Sequence, residues 1–176
     1  MKSWFRGFEQ GIADLQPQQR EVLFRACAVN CVHGGPFGLY RSLFEAAEGD
    51  LDRFFVKIDE LEGVRGESVC AGREYNLCFE ACSCALHRAG CVNTPMLCEC
   101  SRQSVLYVMS EFWPDRKFGV EVRASILRGA YECVLNVRVE LRTGMRSPGR
   151  KTVLPDAALA GDASAAVPGG GIRPRA

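Results

Sequence analysis

Residues 117–139 read KFGVEVRASILRGAYECVLNVRV and determine the fold class of this chain. Apolar side chains alternate with polar ones on both sides of a turn at Arg128-Gly129, and this period of two is typical of β-strands. The alternating residues are Val120, Val122, Ala124 and Ile126 before the turn, and Cys133, Leu135, Val137, Val139 and Leu141 after it. The stretch therefore predicts an antiparallel hairpin.

Upstream of this hairpin the hydrophobic period is mainly helical. Four helices are predicted before residue 62: one through Phe5, Phe8, Ile12 and Leu15, one from Pro17 to Cys31, one over 39–47, and one capped by Asp50. Gly63 and Gly66 break the pattern. A strand is predicted from Glu74 toward Cys82, and a helix from a Ser101 cap to Phe112.

These elements predict an α+β fold, with N-terminal helices packed on a C-terminal antiparallel sheet in a single domain. We expect this cysteine-rich domain to span residues 1–142. Residues 143–176 are rich in Gly, Pro and Ala, a composition that predicts a disordered tail.

The charge balance argues against several classes of partner. The 176 residues carry a formal net charge of +1, so neither a nucleic acid nor a membrane surface is an expected partner. No apolar run approaches the length of a membrane span. Charged residues at Lys2, Arg6 and Glu9 interrupt any export signal. The expected localisation is therefore cytoplasmic.

Ten cysteines are the unusual feature of the composition. In a reducing cytoplasm clustered cysteines more often bind metal or perform redox chemistry than form disulfides. A dense central group carries two C-x-C pairs, Cys82/Cys84 and Cys98/Cys100, with Cys91 and His87 between them. If each pair lies in a strand, its two sulfurs point in one direction. Four such sulfurs would satisfy tetrahedral zinc or an iron–sulfur cluster.

The remaining donors have alternative interpretations. Cys27 and Cys31 are four residues apart on a predicted helix face, and they are either a second site or part of the core. Cys70, Cys78 and Cys133 taken alone are interpreted as small core residues. His87 could complete a Cys/His ligand shell, act as base to a Cys82 nucleophile, or be a solvated loop residue.

The 117–139 stretch, with its Gly129 and a Cys four residues later, resembles the C-terminal signature of the 4-vinyl-reductase domain family. It also resembles that of the related L-2-amino-thiazoline-4-carboxylic acid hydrolase family. Cys100-Ser101 before a helix matches a second feature, and Cys27-x-x-x-Cys31 followed by two C-x-C pairs is similar to bacterial relatives. The resemblance implies a small-molecule pocket and a structural zinc with Cys100 and Cys133 as ligand candidates. Where the family often has a further Cys, this chain has Ser125.

The leading hypothesis is a small-molecule-binding protein with a zinc held by Cys84, Cys98, Cys100 and Cys133. Cys82 and His87 are substitute ligands, and also the catalytic candidates of the enzymatic alternative. That alternative is a small hydrolase or lyase acting on a C–N bond of a heterocyclic or aromatic substrate. A third hypothesis is an iron–sulfur or dithiol redox protein working through Cys27/Cys31. The expected partner is a small-molecule ligand or substrate, and the sequence leaves open whether the protein forms a homodimer.

Overall fold

A computed structural model describes residues 2–140, and the predicted tail at 143–176 lies outside the described residues. The described chain is α+β, as predicted. Its helices are α1 Lys2–Asp14, α2 Pro17–His33, α3 Phe37–Ala46, α4 Leu51–Ile58, α5 Ala85–Arg88 and α6 Cys98–Phe112. Its strands are β1 Val64–Cys70, β2 Glu74–Phe79, β3 Lys117–Ala124 and β4 Cys133–Glu140. Two 3₁₀ turns, Pro95–Leu97 and Ile126–Arg128, complete the set.

The four strands form one antiparallel sheet in the order β1-β2-β4-β3. Two local hairpins, β1–β2 and β3–β4, are joined by the pairing of β2 with β4, in which Leu77 lies opposite Leu135 and Phe79 opposite Cys133. The predicted hairpin is confirmed, and Gly129 adopts the left-handed conformation at its turn, with a φ of 88°. Ile126, expected on a strand, instead begins a 3₁₀ turn.

One face of the sheet is buried beneath helices. Tyr75 stacks on Phe55 of α4, with ring centroids 4.2 Å apart, and its hydroxyl donates to Asp52 at 2.6 Å. Helix α6 packs on β3 and along α2. The opposite face is polar, and the register aligns Glu67, Asn76 and Asn136 across three strands.

A smaller apolar cluster lies under the segment that connects β2 to α6. Its buried members are Ile12, Phe24, Val92 and Leu97, and Cys84, Cys91 and Cys100 pack against it. The carboxylate of Glu9 in α1 accepts a hydrogen bond from the backbone N–H of Asn93. Helices α1 and α2 therefore hold the cysteine-rich segment in place through apolar burial and one polar contact.

Strand β1 corrects an expectation from the sequence. The sequence shows Gly66 only as a break in the helical pattern and predicts no strand before Glu74, yet Gly66 lies in the middle of β1, paired with Leu77. Its N–H donates to Asp59 at 2.9 Å, and a Cβ at this position would overlap the carbonyl oxygen of Phe55. The glycine is required because helix α4 crosses the strand at backbone contact distance.

Gly66→Ala should therefore destabilise the protein by about 1–3 kcal/mol or more, since backbone rather than a flexible side chain blocks the added methyl. Gly38→Ala is the matched control, because Gly38 lies in α3 with open space around its Cα. The control should stabilise by roughly 0.5–1 kcal/mol. Urea unfolding of both variants measures the difference. Equal stabilities would contradict the close approach of α4 and β1.

Candidate thiol site

The two C-x-C pairs do not lie in strands. Cys82 and Cys84 fall in the irregular segment after β2, where Cys84 is the N-cap residue of α5. Cys98 and Cys100 form the first turn of α6. Residues two apart on a helix are separated by about 200° around its axis, so the sulfurs of Cys98 and Cys100 point to different sides. The expectation that each pair presents both sulfurs in one direction is wrong for this pair.

Four cysteines from three parts of the fold line one small cavity. They are Cys82 and Cys84 from the segment after β2, Cys98 from the start of α6, and Cys133 from the start of β4. The cavity volume is about 20 Å³, enough for a single water-sized particle. The other lining residues are Phe79, Ser83, Leu97, Ser101, Val122, Ser125, Leu127 and Leu135.

Ser125 is a buried polar residue in the lining of this cavity. It is 1% exposed, its Oγ lies 2.9 Å from Cys98 Sγ, and that Oγ accepts the backbone N–H of Leu127 at 3.1 Å. The backbone N–H of Ile126 donates to Cys133 Sγ at 3.4 Å. The turn after β3 thus supplies polar contacts to two of the four sulfurs, and hydrogen bonds of this kind favour a thiolate.

Burial opposes ionisation of two of these thiols. It raises the pKa of Cys82 and of Cys98, and the neighbouring thiols raise both further. The hydroxyl of Ser125 and the charge of Arg128 act in the opposite direction at Cys98 without cancelling the rise. Without a further positive charge Cys82 and Cys98 therefore favour the neutral thiol at neutral pH.

The predicted ligand set is brought together only in part. Cys84, Cys98 and Cys133 line the cavity, but Cys100 does not. Cys82, predicted as a substitute ligand and catalytic candidate, takes its place. Residues 2–140 contain no group of three or more His, Cys, Asp or Glu side chains that could hold a metal ion. The metal itself stays a prediction.

Cys100 belongs to a second group of thiols. Burial raises its pKa to about 12, and the thiols of Cys31, Cys84 and Cys27 add to that rise. Cys27 and Cys31 are exposed on α2 as free thiols. Cys84 is common to both groups, because its thiol also raises the pKa of Cys82 and of Cys98.

His87 lies in the short helix α5, three residues after Cys84. Its Nδ1 is buried and, within the part of the chain that the structure describes, has no hydrogen-bond partner. A general base must hold hydrogen-bond contact with its nucleophile. The pairing of His87 with Cys82 in catalysis therefore stays a prediction.

Ser125 is the residue that sequence reasoning undervalued. The sequence shows it only as a poor ligand in a position where the resembled family often has Cys. The available signal was its place four residues before Gly129, at the end of an alternating strand. A residue there starts the turn that leads back toward Cys133, so it faces the start of β4.

The cysteines outside both groups differ in burial. Cys78 is 2% exposed, which confirms its interpretation as a small core residue. The same interpretation is wrong for Cys70, which is exposed at the end of β1. Of the helices in residues 2–140, none combines the length and apolarity that crossing a membrane requires.

Comparison of the chain with protein-family models and with curated proteins finds no match. The resemblance to the 4-vinyl-reductase domain family and to the L-2-amino-thiazoline-4-carboxylic acid hydrolase family therefore stays a prediction that rests on the motifs of this sequence.

Cys78 and Cys70 should react with iodoacetamide at very different rates. Burial, with the nearby Glu67 carboxylate as the next cause, raises the pKa of Cys78 from about 9 to about 11. At a pH below both values, this rise lowers the thiolate fraction of Cys78 about a hundredfold. Native alkylation at pH 8, read by peptide mass spectrometry, should therefore modify Cys78 at least a hundredfold more slowly than exposed Cys70. Similar native rates would contradict the described burial; similar rates in denaturant are the control.

Proposed function

We propose that this protein binds one zinc ion through Cys82, Cys84, Cys98 and Cys133. The observation that carries the proposal is that these four thiols, from three separate elements, line one cavity with the volume of a single ion. Ser125 supports the shell through its contact with Cys98. In a tetrahedral site each of the four sulfurs would lie about 2.3 Å from the ion.

The chemistry of the donors favours zinc. Thiolates are soft ligands, and four of them match the tetrahedral preference of structural zinc sites. The divalent charge would compensate the thiolates, including those of Cys82 and Cys98, whose pKa burial raises. An iron–sulfur cluster needs the same four ligands but encloses several atoms, and a cavity of about 20 Å³ is small for it.

The proposed role of the ion is structural. It would join the segment after β2 to the start of α6 and to β4, so that binding energy contributes to folding. Four sulfur ligands leave no position for water, whereas catalytic zinc keeps one open. This weighs against the hydrolase or lyase alternative at this site. Zinc binding by free thiols also requires a reducing compartment, and we propose the cytoplasm.

Small-molecule binding, the other part of the prediction, has a separate candidate place. A groove of about 460 Å³ lies between the start of α4 and the start of β3. Its volume falls within the range of about 300–1,000 Å³ that is usual for ligand sites. Its lining includes Asp52, Asp115, Arg116 and Lys117, which suits a small polar ligand carrying both charges better than an aromatic one.

The protein as purified should contain one tightly held zinc per chain. Removing it with a chelator, or substituting Cys82→Ser or Cys133→Ser, should lower stability by about 3 kcal/mol or more, equivalent to a Tm decrease of roughly 6–12 °C. Cys70→Ser is the matched control, since this exposed cysteine is outside both thiol groups. Elemental analysis and thermal unfolding provide the readouts.

A chain that keeps its Tm in chelator and whose Cys82→Ser variant matches Cys70→Ser would contradict the proposal. So would a metal content that is unchanged in Cys133→Ser.

A further inference from the structure

The groove of about 460 Å³ lies at the end of the sheet opposite the four-cysteine cavity. Its walls come from the start of α4, the turn between β1 and β2, the turn before β3, and the end of β4. Three hydrogen bonds tie these walls to their neighbours: Trp113 Nε1 to the Gly49 carbonyl at 2.7 Å, the Arg116 N–H to the Trp113 carbonyl at 3.0 Å, and the Val139 N–H to the Arg73 carbonyl at 2.8 Å. The groove is therefore formed before a ligand arrives, as is usual for ligand sites.

The carboxylate of Asp52 is fixed in one orientation on the α4 wall of this groove. Its Oδ1 accepts the hydroxyl of Tyr75 at 2.6 Å and the backbone N–H of Gly72 at 2.9 Å. Tyr75 is fully buried, so Asp52 cannot turn away without leaving a buried hydroxyl short of its acceptor. Both bonds use Oδ1, and within residues 2–140 Oδ2 has no such partner. Asp52 can therefore offer Oδ2 to a cationic group in the groove.

The other charges of the groove divide into a satisfied set and an unpaired set. Lys117 and Glu140 neutralise each other across 3.0 Å. Asp50 is the N-cap of α4, where its side chain accepts a backbone N–H. Asp115 and Arg116 also line the groove, and neither forms an ion pair within the part of the chain that the structure describes. The turn before β3 thus presents an unpaired carboxylate next to an unpaired guanidinium.

We propose that the groove binds a basic α-amino acid. Such a molecule carries an ammonium and a carboxylate on one carbon, and a second cationic group at the end of a flexible chain. The neighbouring Asp115 and Arg116 match the first two groups, and Asp52 matches the third. Leu51 and Val139 also line the groove and suit the methylene chain between these groups. The inference rests on the proposed role of the groove as the small-molecule site.

The pattern of unpaired charges disfavours simpler ligands. A dicarboxylate would place a negative charge against Asp52 or Asp115. A diamine would leave the guanidinium of Arg116 without a partner, and an amino acid with an apolar side chain would leave Asp52 without one. Only a molecule with two cationic groups and one carboxylate pairs all three side chains.

Isothermal titration calorimetry on the full chain tests the proposal with three probes that share a carbon chain. L-Lysine carries all three charges, L-norleucine lacks the side-chain ammonium, and 1,5-diaminopentane lacks the carboxylate. The variants are Asp52→Asn and Arg116→Gln. Asp14→Asn, at an exposed position in α1, is the matched control for loss of a carboxylate. The zinc content of each sample is measured in parallel.

L-Lysine should bind at least about tenfold more tightly than either other probe, because each of those lacks one charge-assisted contact. Asp52→Asn should weaken L-lysine by a similar factor and leave L-norleucine unchanged, whereas Asp14→Asn should change neither. Arg116→Gln should weaken L-lysine but leave 1,5-diaminopentane unchanged. If Asp52→Asn does not fold, the comparison of probes and the variant of the exposed Arg116 still decide the question.

Three outcomes would overturn the proposal. One is equal binding of the three probes, and another is L-lysine binding that Asp52→Asn and Arg116→Gln leave unchanged. The third is no measurable binding of L-lysine or of L-arginine. Binding of L-norleucine or 1,5-diaminopentane that depends on Arg116 or Asp52, without a gain for L-lysine, would reject the basic amino acid but keep the groove as a ligand site. The zinc content shows separately whether the proposed function of the four-cysteine cavity holds.

Discussion

The pairing of β2 with β4 is the constraint on which the remainder of the structure depends. Each of the other two strand pairings joins neighbours in sequence, but this one places Phe79 opposite Cys133 and so closes a loop of more than fifty residues. Closing a loop of that length costs conformational entropy, which the packing of the residues inside the loop must offset. The loop contains α5, α6 and β3, and the packing of α6 against both α2 and β3 offsets this cost.

The same pairing creates the thiol cavity. The chain leaves β2 at Phe79 and reaches Cys82 and Cys84 within five residues, while Cys133 begins β4 directly opposite. Cys98 completes the cavity from the first turn of α6, where its sulfur contacts Ser125. The segment between these points has little regular structure, and a metal ion held by all four sulfurs would fix it to both the sheet and α6.

Much of the fold could be predicted from the local sequence, because the hairpin of β3 and β4 alternates cleanly and Asp50 is an N-cap whose side chain accepts the N–H of Arg53. Strand β1 could not, since Gly66 is required by the packing of α4 on the strand, where the Phe55 carbonyl blocks a Cβ, and local propensity does not encode that contact. The sequence places the N-cap of α6 at Ser101, four residues after the observed N-cap Leu97, although Thr94-Pro95 marks the turn that leads into the helix. That error changed the site: Cys100 lies on the helix, packs against the smaller apolar cluster and does not line the cavity. Neither spacing nor composition encodes that placement.

The central claim is that four cysteine sulfurs surround one zinc in the enclosed cavity. Zinc X-ray absorption on the Cys27→Ser/Cys31→Ser variant loaded with one equivalent tests it most directly, because that variant removes the solvent-open thiols while keeping the enclosed ones. We predict a single shell of four sulfurs at about 2.3 Å. A shell containing nitrogen or oxygen ligands at about 2.0–2.1 Å, or a protein that takes up no zinc, would contradict the account.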